Sequence, residues 1–187
     1  MQILKLLLIA VLSSLLFACA MFNHGGTNAK GNGPQTKGLG IGPDFNGQAG
    51  QYTQQQLLAQ KTVLFNFDKT KVQKHYDQML AAHAKYLNRH PNQVVLLAGN
   101  TDEQGSREYN MGLGQRRARS VESILSADGV PAAQLKKVSY GPEIPVACGT
   151  DQAAYAQNRR VDILYCGSSN CKKVAKRYAR KLCTNHT

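Results

Sequence analysis

Two periodicities organise the apolar residues between positions 62 and 165. Val63, Phe65 and Phe67 recur at every second position, which predicts a strand over residues 62–67. Val72, Tyr76, Met79, His83 and Leu87 follow at helical spacing, and Pro91 marks the stop. Residues 93–98 contain the run Val94-Val95-Leu96-Leu97 and read as a second strand, placed centrally because it is apolar on both sides. A loop over 100–105 leads into a long helix over 106–126. Glu108 favours the positive end of its dipole, and Gly129 closes it. Residues 135–140 form a third strand before the Gly141-Pro142 turn, 151–157 a short helix, and Val161, Ile163 and Tyr165 alternate in a last strand. The order is β-α-β-α-β-(α)-β. It predicts an α+β fold, a mixed sheet with helices packed on it.

The flanks differ in kind from this core. Residues 1–5 carry one positive charge, Lys5, and residues 6–17 are an unbroken run of apolar residues and serines. That run is shorter than the roughly 20 apolar residues a spanning helix needs, and it reads as an export signal. It ends at Leu16-Phe17-Ala18-Cys19, which resembles the lipobox of bacterial lipoproteins and implies acylation of Cys19. Ala20 is not the aspartate that the resemblance associates with inner-membrane retention, so the outer membrane is expected, with the chain on its periplasmic face. Residues 23–50 hold nine of the chain's 17 glycines and almost no apolar side chains, the composition of a flexible tether. The Gly38-Leu39-Gly40-Ile41-Gly42 run lacks the spacing and flanking elements of a dinucleotide loop. The organisation expected is a signal over 1–18, a lipidated cysteine and tether over 19–52, a folded domain over 53–166, and a tail over 167–187.

The net charge of +12 sharpens the last boundary. Without Lys5 it is +11, and the tail's six basic residues, Lys172, Lys173, Lys176, Arg177, Arg180 and Lys181, leave only +5 elsewhere. The tail is read either as a solvated basic face or as a helix touching lipopolysaccharide phosphates. Nucleic acid is not expected, since an exported chain does not meet it and the tail offers few rings for stacking. Beyond Cys19, four cysteines remain: Cys148, Cys166, Cys171 and Cys183. An even number in an exported chain suggests disulfides, with free thiols as the alternative. Cys171 and Cys183 would lie about 18 Å apart along one helix, beyond the roughly 7 Å a disulfide spans. A helical tail would therefore pair outward with Cys166 or Cys148, and a hairpin tail would join Cys171 to Cys183.

In the long helix, Leu113, Val121 and Ile124 form an apolar stripe, and Arg117 falls on it. An arginine there needs a partner or ligand, and its planar fork suits a carboxylate; otherwise it snorkels to water. Asp102 lies in the loop feeding that helix, Asp68 ends the first strand, and Asn158, Arg159 and Arg160 lead into the last. These polar groups meet where strand ends approach a helix N-terminus, a usual place for a ligand.

The stretch Gly99-Asn100-Thr101-Asp102-Glu103-Gln104-Gly105-Ser106-Arg107-Glu108-Tyr109-Asn110-Met111-Gly112-Leu113-Gly114-Gln115-Arg116-Arg117-Ala118 resembles the signature of the OmpA-like peptidoglycan-binding domain. It is most similar to the form carried by peptidoglycan-associated lipoproteins. Phe65-Asn66-Phe67-Asp68-Lys69, Val138-Ser139-Tyr140-Gly141 and Asn158-Arg159-Arg160-Val161 extend the likeness over residues 63–165 in order; the basic tail lies outside it. Asn100 stands where many members of the family have histidine, though asparagine also occurs there. The resemblance implies binding of the diaminopimelate-containing stem peptide of peptidoglycan. It places Asp102 and Arg117 on the ligand's ammonium and carboxylate. Phe67, Asp68, Tyr109, Leu113, Asn158 and Arg159 would line the pocket or hold its loops. It further implies a link from outer-membrane lipid, through Cys19, to the cell wall in a Tol-Pal-type system for envelope integrity and cell division. An anchor for a secretion or motor complex is the alternative. No cofactor, metal or catalysis is expected: none of the five histidines sits in an HExxH motif, and no G-x-S-x-G serine is present. Arg117→Ala and Asp102→Ala are expected to weaken binding and leave the fold intact.

Overall fold

The computed structural model describes residues 52–167 and 169–180; the signal, Cys19, the tether and Cys183 lie outside them. Helix α1 (Gln54–Ala59) opens the described chain, closed by a capping box between Thr53 and Gln56. Its sequence has no strong period, so the apolar pattern did not reveal it. Strand β1 (Thr62–Leu64) is half the predicted length, because residues 65–67 leave the ladder to shape a turn. A 3-10 turn (Lys74–Tyr76) leads into α2 (Asp77–Arg89), then β2 (Gln93–Asn100) and α3 (Arg107–Ala127). After a second 3-10 turn (Ala132–Gln134) come β3 (Leu135–Gly141), α4 (Gln152–Asn158), β4 (Arg160–Gly167) and α5 (Cys171–Tyr178). The element order expected from the pattern is present, with a helix added at each end.

The four strands form one sheet in the order β1-β4-β2-β3. β4 runs antiparallel to β1 and β2, while β2 and β3 are parallel. One face carries Val63, Val95, Leu97, Val161 and Ile163. These pack with Met79, Leu80 and Leu87 of α2 and Ala118, Val121 and Leu125 of α3. The opposite face carries Val94, Leu96 and Ala98 of β2, covered by Val174, Ala175 and Tyr178 of α5. The apolar run of β2 is thus buried on both sides.

That second layer corrects the boundary after residue 166. The segment read as a separate tail supplies the cover that β2 requires. A disulfide between Cys166 and Cys171 (Cα–Cα 5.0 Å) fixes the helix to the end of β4. Of the two pairings considered, the outward one to Cys166 holds, and Cys171 is not available to Cys183. Cys148 is also disulfide-bonded.

Local chemistry fixes the ends of α3. Ser106 accepts a hydrogen bond from the Tyr109 N–H at 3.1 Å, the usual N-cap arrangement. At the other end Gly129 takes φ +88°. Its N–H bonds Ser126 O while that of Val130 bonds Leu125 O, the two bonds of a Schellman motif. Midway, α3 lies directly on the sheet. A Cβ on Gly99 would stand 2.0 Å from the Gly114 oxygen, so no larger residue fits at that crossing. Arg117 lies one turn beyond this contact.

Candidate functional site

The buried stripe of α3 is Asn110, Leu113, Gly114, Arg117, Ala118, Val121 and Leu125. Arg117 has no exposed surface. Its Nε donates to Lys69 O at 3.0 Å, Nη1 to Asn100 O at 3.0 Å and Nη2 to Asn66 O at 3.2 Å. The guanidinium stands over the Phe65 ring, 5.3 Å from its centroid. The alternative of a snorkelling arginine is therefore excluded. Three of five N–H groups are engaged by backbone carbonyls, leaving one on each Nη. Burial lowers its pKa to about 10; Asp102 opposes that shift and Arg159 adds to it. It remains a cation at neutral pH.

Asp102, in the loop after β2, is buried and accepts from Arg159 Nη1 through Oδ2 at 2.9 Å. Arg159 in turn donates from Nε to Phe65 O at 3.2 Å, and its own carbonyl accepts from the Phe65 N–H. Arg159 thus stands behind Asp102 and ties the start of β4 to the turn after β1. That turn holds Asp68 at φ +52°, the left-handed region an aspartate tolerates at some cost. Asp68 accepts from the Tyr109 hydroxyl across the cleft, and this bond raises the phenol's pKa.

These groups enclose a cavity of about 230 Å³ lined by Phe67, Asp68, Asp102, Gln104, Gly105, Tyr109, Asn110, Leu113 and Arg117. Six of the eight residues expected to make the site lie on this wall. Phe67 and Tyr109 are 58% and 46% exposed, two of the three exposed large apolar side chains among the described residues, and they flank the opening. Arg159 supports the wall from behind. Asn158 sits elsewhere. Its Oδ1 accepts from the N–H groups of Val146 and Ala147, and its Nδ2 donates to Ala147 O. It holds the loop between β3 and α4 and lines a second cavity of about 210 Å³ with Thr101, Glu103 and Tyr155. The loop over residues 101–105 separates the two cavities, its side chains alternating between them.

Gln104, Gly105 and Asn110 were not anticipated. Asn110 is fully buried, donates to Gln104 O at 3.0 Å, and its Oδ1 has no partner. Its position one turn before Leu113 on the buried stripe was the available signal. The arrangement offers a cation with two free donors, two carboxylates, an unpartnered amide oxygen and an aromatic rim. It suits a small zwitterionic group on an apolar stem. Among the described residues no cluster of His, Cys, Asp and Glu is built to hold a metal.

Asn100 joins this site to the other face of the sheet. Its carbonyl accepts from Arg117, and its Nδ2 donates to the Tyr178 hydroxyl at 2.8 Å. Tyr178 also accepts from Arg160 Nη2 at 2.9 Å and donates to Asp162.

Residues 64–159 match the OmpA family. The chain is 43% identical over 161 residues to the peptidoglycan-associated lipoprotein of Pasteurella multocida, covering 86% of this chain and 97% of that one. Its identity to the protein of the same name from Haemophilus influenzae is 44%, with the same coverage. Among solved structures, the peptidoglycan-associated lipoprotein of Burkholderia pseudomallei aligns with TM-score 0.58 at 50% identity, over 59% of this chain and 93% of that one. The C-terminal domain of Helicobacter pylori MotB, at 23% identity and TM-score 0.53 over 62% of this chain and 92% of that one, shares the fold alone. No helix among the described residues is long and apolar enough to cross a membrane. The chain belongs to the OmpA family and, within it, to the peptidoglycan-associated lipoproteins.

Proposed function

We propose that this protein grips peptidoglycan non-covalently by the diaminopimelate of its stem peptide, without catalysis. The observation that carries the reading is the convergence of Arg117, Asp68 and Asp102 on one cavity rimmed by Phe67 and Tyr109. Diaminopimelate ends in a carbon bearing both an ammonium and a carboxylate. The two free Arg117 N–H groups fork the carboxylate, and Asp102, with Asn110 Oδ1 beside it, accepts from the ammonium. The rim covers the aliphatic stem. The names of the two curated relatives and of the Burkholderia structure, each a peptidoglycan-associated lipoprotein, support peptidoglycan as the partner. Acylated Cys19 holds the domain to outer-membrane lipid, and the bridge between lipid and wall serves a Tol-Pal-type system in envelope integrity and cell division.

Sedimentation with purified sacculi tests the site. Asp102→Asn keeps an acceptor for Arg159 and removes the charge. A charged hydrogen bond contributes about 1.5–3 kcal/mol, so binding should weaken roughly 10- to 100-fold. Lys136→Ala, on an exposed position of β3, should bind like the parent. Sacculi with lysine in place of diaminopimelate lack the distal carboxylate and should be retained as poorly as the variant retains the natural ones. A folded Asp102→Asn protein that sediments normally, or equal retention by both kinds of sacculi, refutes the site. Mass spectrometry of the mature N-terminus tests the anchor, and an unmodified Cys19 refutes it.

A further inference from the structure

Helix α5 divides its residues strictly. Cys171, Val174, Ala175 and Tyr178, at spacing i, i+3, i+4 and i+7, face the sheet. Lys172, Lys173, Lys176, Arg177 and, just past the helix, Arg180 are exposed. No acidic residue lies between positions 163 and 187, and among the described residues none of the five cations is in an ion pair.

An ordinary solvated face mixes signs. Here every i, i+3 and i+4 neighbour among the charged residues is a like charge: Lys172 with Lys176, Lys173 with Lys176 and Arg177, Lys176 with Arg180, and Arg177 with Arg180. Each such pair disfavours the helix, and cations in its first turn oppose the dipole as well. An isolated eight-residue helix of this kind would not form. It is held from outside, by the Cys166–Cys171 disulfide at its start and the buried Tyr178 hydrogen bonds at its end. The anchors keep a repulsive array in one rigid plane. The rest of the folded domain, residues 52–166, has fourteen Lys and Arg against ten Asp and Glu, so the charge is concentrated on this one face.

We infer that the outer face of α5 is a docking surface for the phosphates of an anionic lipid bilayer. The array lies on the outer side of a single helix, a convex surface that forms no groove to follow a polymer backbone. Ala179 is the one uncharged exposed residue along it, so it offers no ring for a base to stack on and no apolar wedge for insertion. What remains is attraction to closely spaced surface charges, as at a headgroup layer. This inference does not depend on the ligand of the Arg117 cavity.

Vesicle sedimentation provides the test. The chain from residue 19 carrying Cys19→Ser contains the whole folded unit and cannot be acylated. It should bind vesicles of phosphatidylglycerol and phosphatidylcholine at low salt, release them at high salt, and ignore vesicles of phosphatidylcholine alone. Removing one cation from such an array costs about fivefold. The triple variant Lys172→Gln, Lys173→Gln, Lys176→Gln should therefore bind about 100-fold more weakly. A second triple variant, Lys71→Gln, Lys74→Gln, Lys85→Gln, changes the net charge equally at exposed positions elsewhere and should lose far less. Equal losses in the two variants would reduce the effect to net charge and overturn the inference, as would no loss in the first. If the first variant keeps vesicle binding but loses binding to a random oligonucleotide or to sacculi, the face serves that polymer and the lipid assignment is wrong.

Discussion

An arginine without exposed surface must find acceptors inside the protein, and Arg117 finds three backbone carbonyls, two from the turn after β1 and one from the end of β2. It is at once part of the cavity wall and the brace that holds the turn over residues 66–69 against the end of β2. The sequence expectation that Arg117→Ala would spare the fold is therefore revised. Truncation leaves Asn66 O, Lys69 O and Asn100 O without that donor and opens a void beside Phe65. Asn100 is buried, whereas Asn66 and Lys69 are exposed residues whose carbonyls water can reach; at about 1–3 kcal/mol for the one buried acceptor, plus the cost of the void, the loss should reach roughly 3–5 kcal/mol. Urea unfolding of Arg117→Ala should show it as a lowered midpoint, and Arg117→Lys, which retains three donors, should recover about half. A midpoint unchanged in Arg117→Ala contradicts the bracing role. What could be read from the sequence was that position 117 interrupts an apolar stripe and so needs a partner. That its partners include carbonyls of residues 66 and 69 could not be read, because carbonyls carry no side-chain signature and come from 48 and 51 residues away.

Strand β2 shows the same limit for elements. Its unbroken apolar run correctly indicated a central strand, and a strand buried on both faces requires two covering layers. The helices between strands supply only one. The second was present in the apolar stripe of α5, but the density of lysine and arginine around it gave the segment the look of a solvated tail. Tyr178 is the residue through which α5 docks. Its hydroxyl meets Asn100, Arg160 and Asp162 in a pocket that leaves it 7% exposed. Burial and the Asp162 carboxylate raise its pKa, so it stays protonated and can donate. Tyr178→Phe keeps the ring and leaves the Asn100 amide, the Arg160 fork and the Asp162 carboxylate short of one partner each. The expected loss in unfolding free energy is about 2–3 kcal/mol. Tyr140→Phe, whose half-buried hydroxyl donates to Ala175 O at 3.3 Å, should cost under about 1 kcal/mol. Similar losses in the two variants would show that the hydroxyl of Tyr178 is not what fixes the helix.

Across the whole domain, the parts that the pattern made legible are those governed by period: four strands, two main helices and their order. The parts it missed are tied by single polar contacts between distant segments. His83 is one of these. It falls on the apolar stripe of α2 and is fully buried. Its Nε2 donates to Gln60 O at 2.6 Å, and its Nδ1 accepts from the Tyr165 hydroxyl at 2.6 Å, which joins the segment after α1 to α2 and β4. The carbonyl can only accept, which places a proton on Nε2; burial disfavours a second proton, so the ring is neutral and Nδ1 accepts. Burial lowers the pKa of His83 below 6.5; the Gln60 carbonyl opposes the shift and Lys61 adds to it. The sign of the linkage follows. Above pH 6.5 neither the folded nor the unfolded ring holds the extra proton, and the full stability is present. As the pH falls through 6.5 the unfolded chain takes up a proton that the folded domain refuses, and stability drops until the folded pKa is reached. The slope is at most about 1.4 kcal/mol per pH unit for one proton. Urea unfolding of the parent between pH 7.5 and 5.5 should therefore show a falling midpoint, with the decline beginning near pH 6.5. His83→Gln removes the titrating group while keeping a neutral side chain able to donate to Gln60 O. It should be less stable than the parent at pH 7.5 but lose less on acidification. If parent and variant decline in parallel, the proton is taken up elsewhere and His83 is not the group that makes the domain sensitive to mild acid.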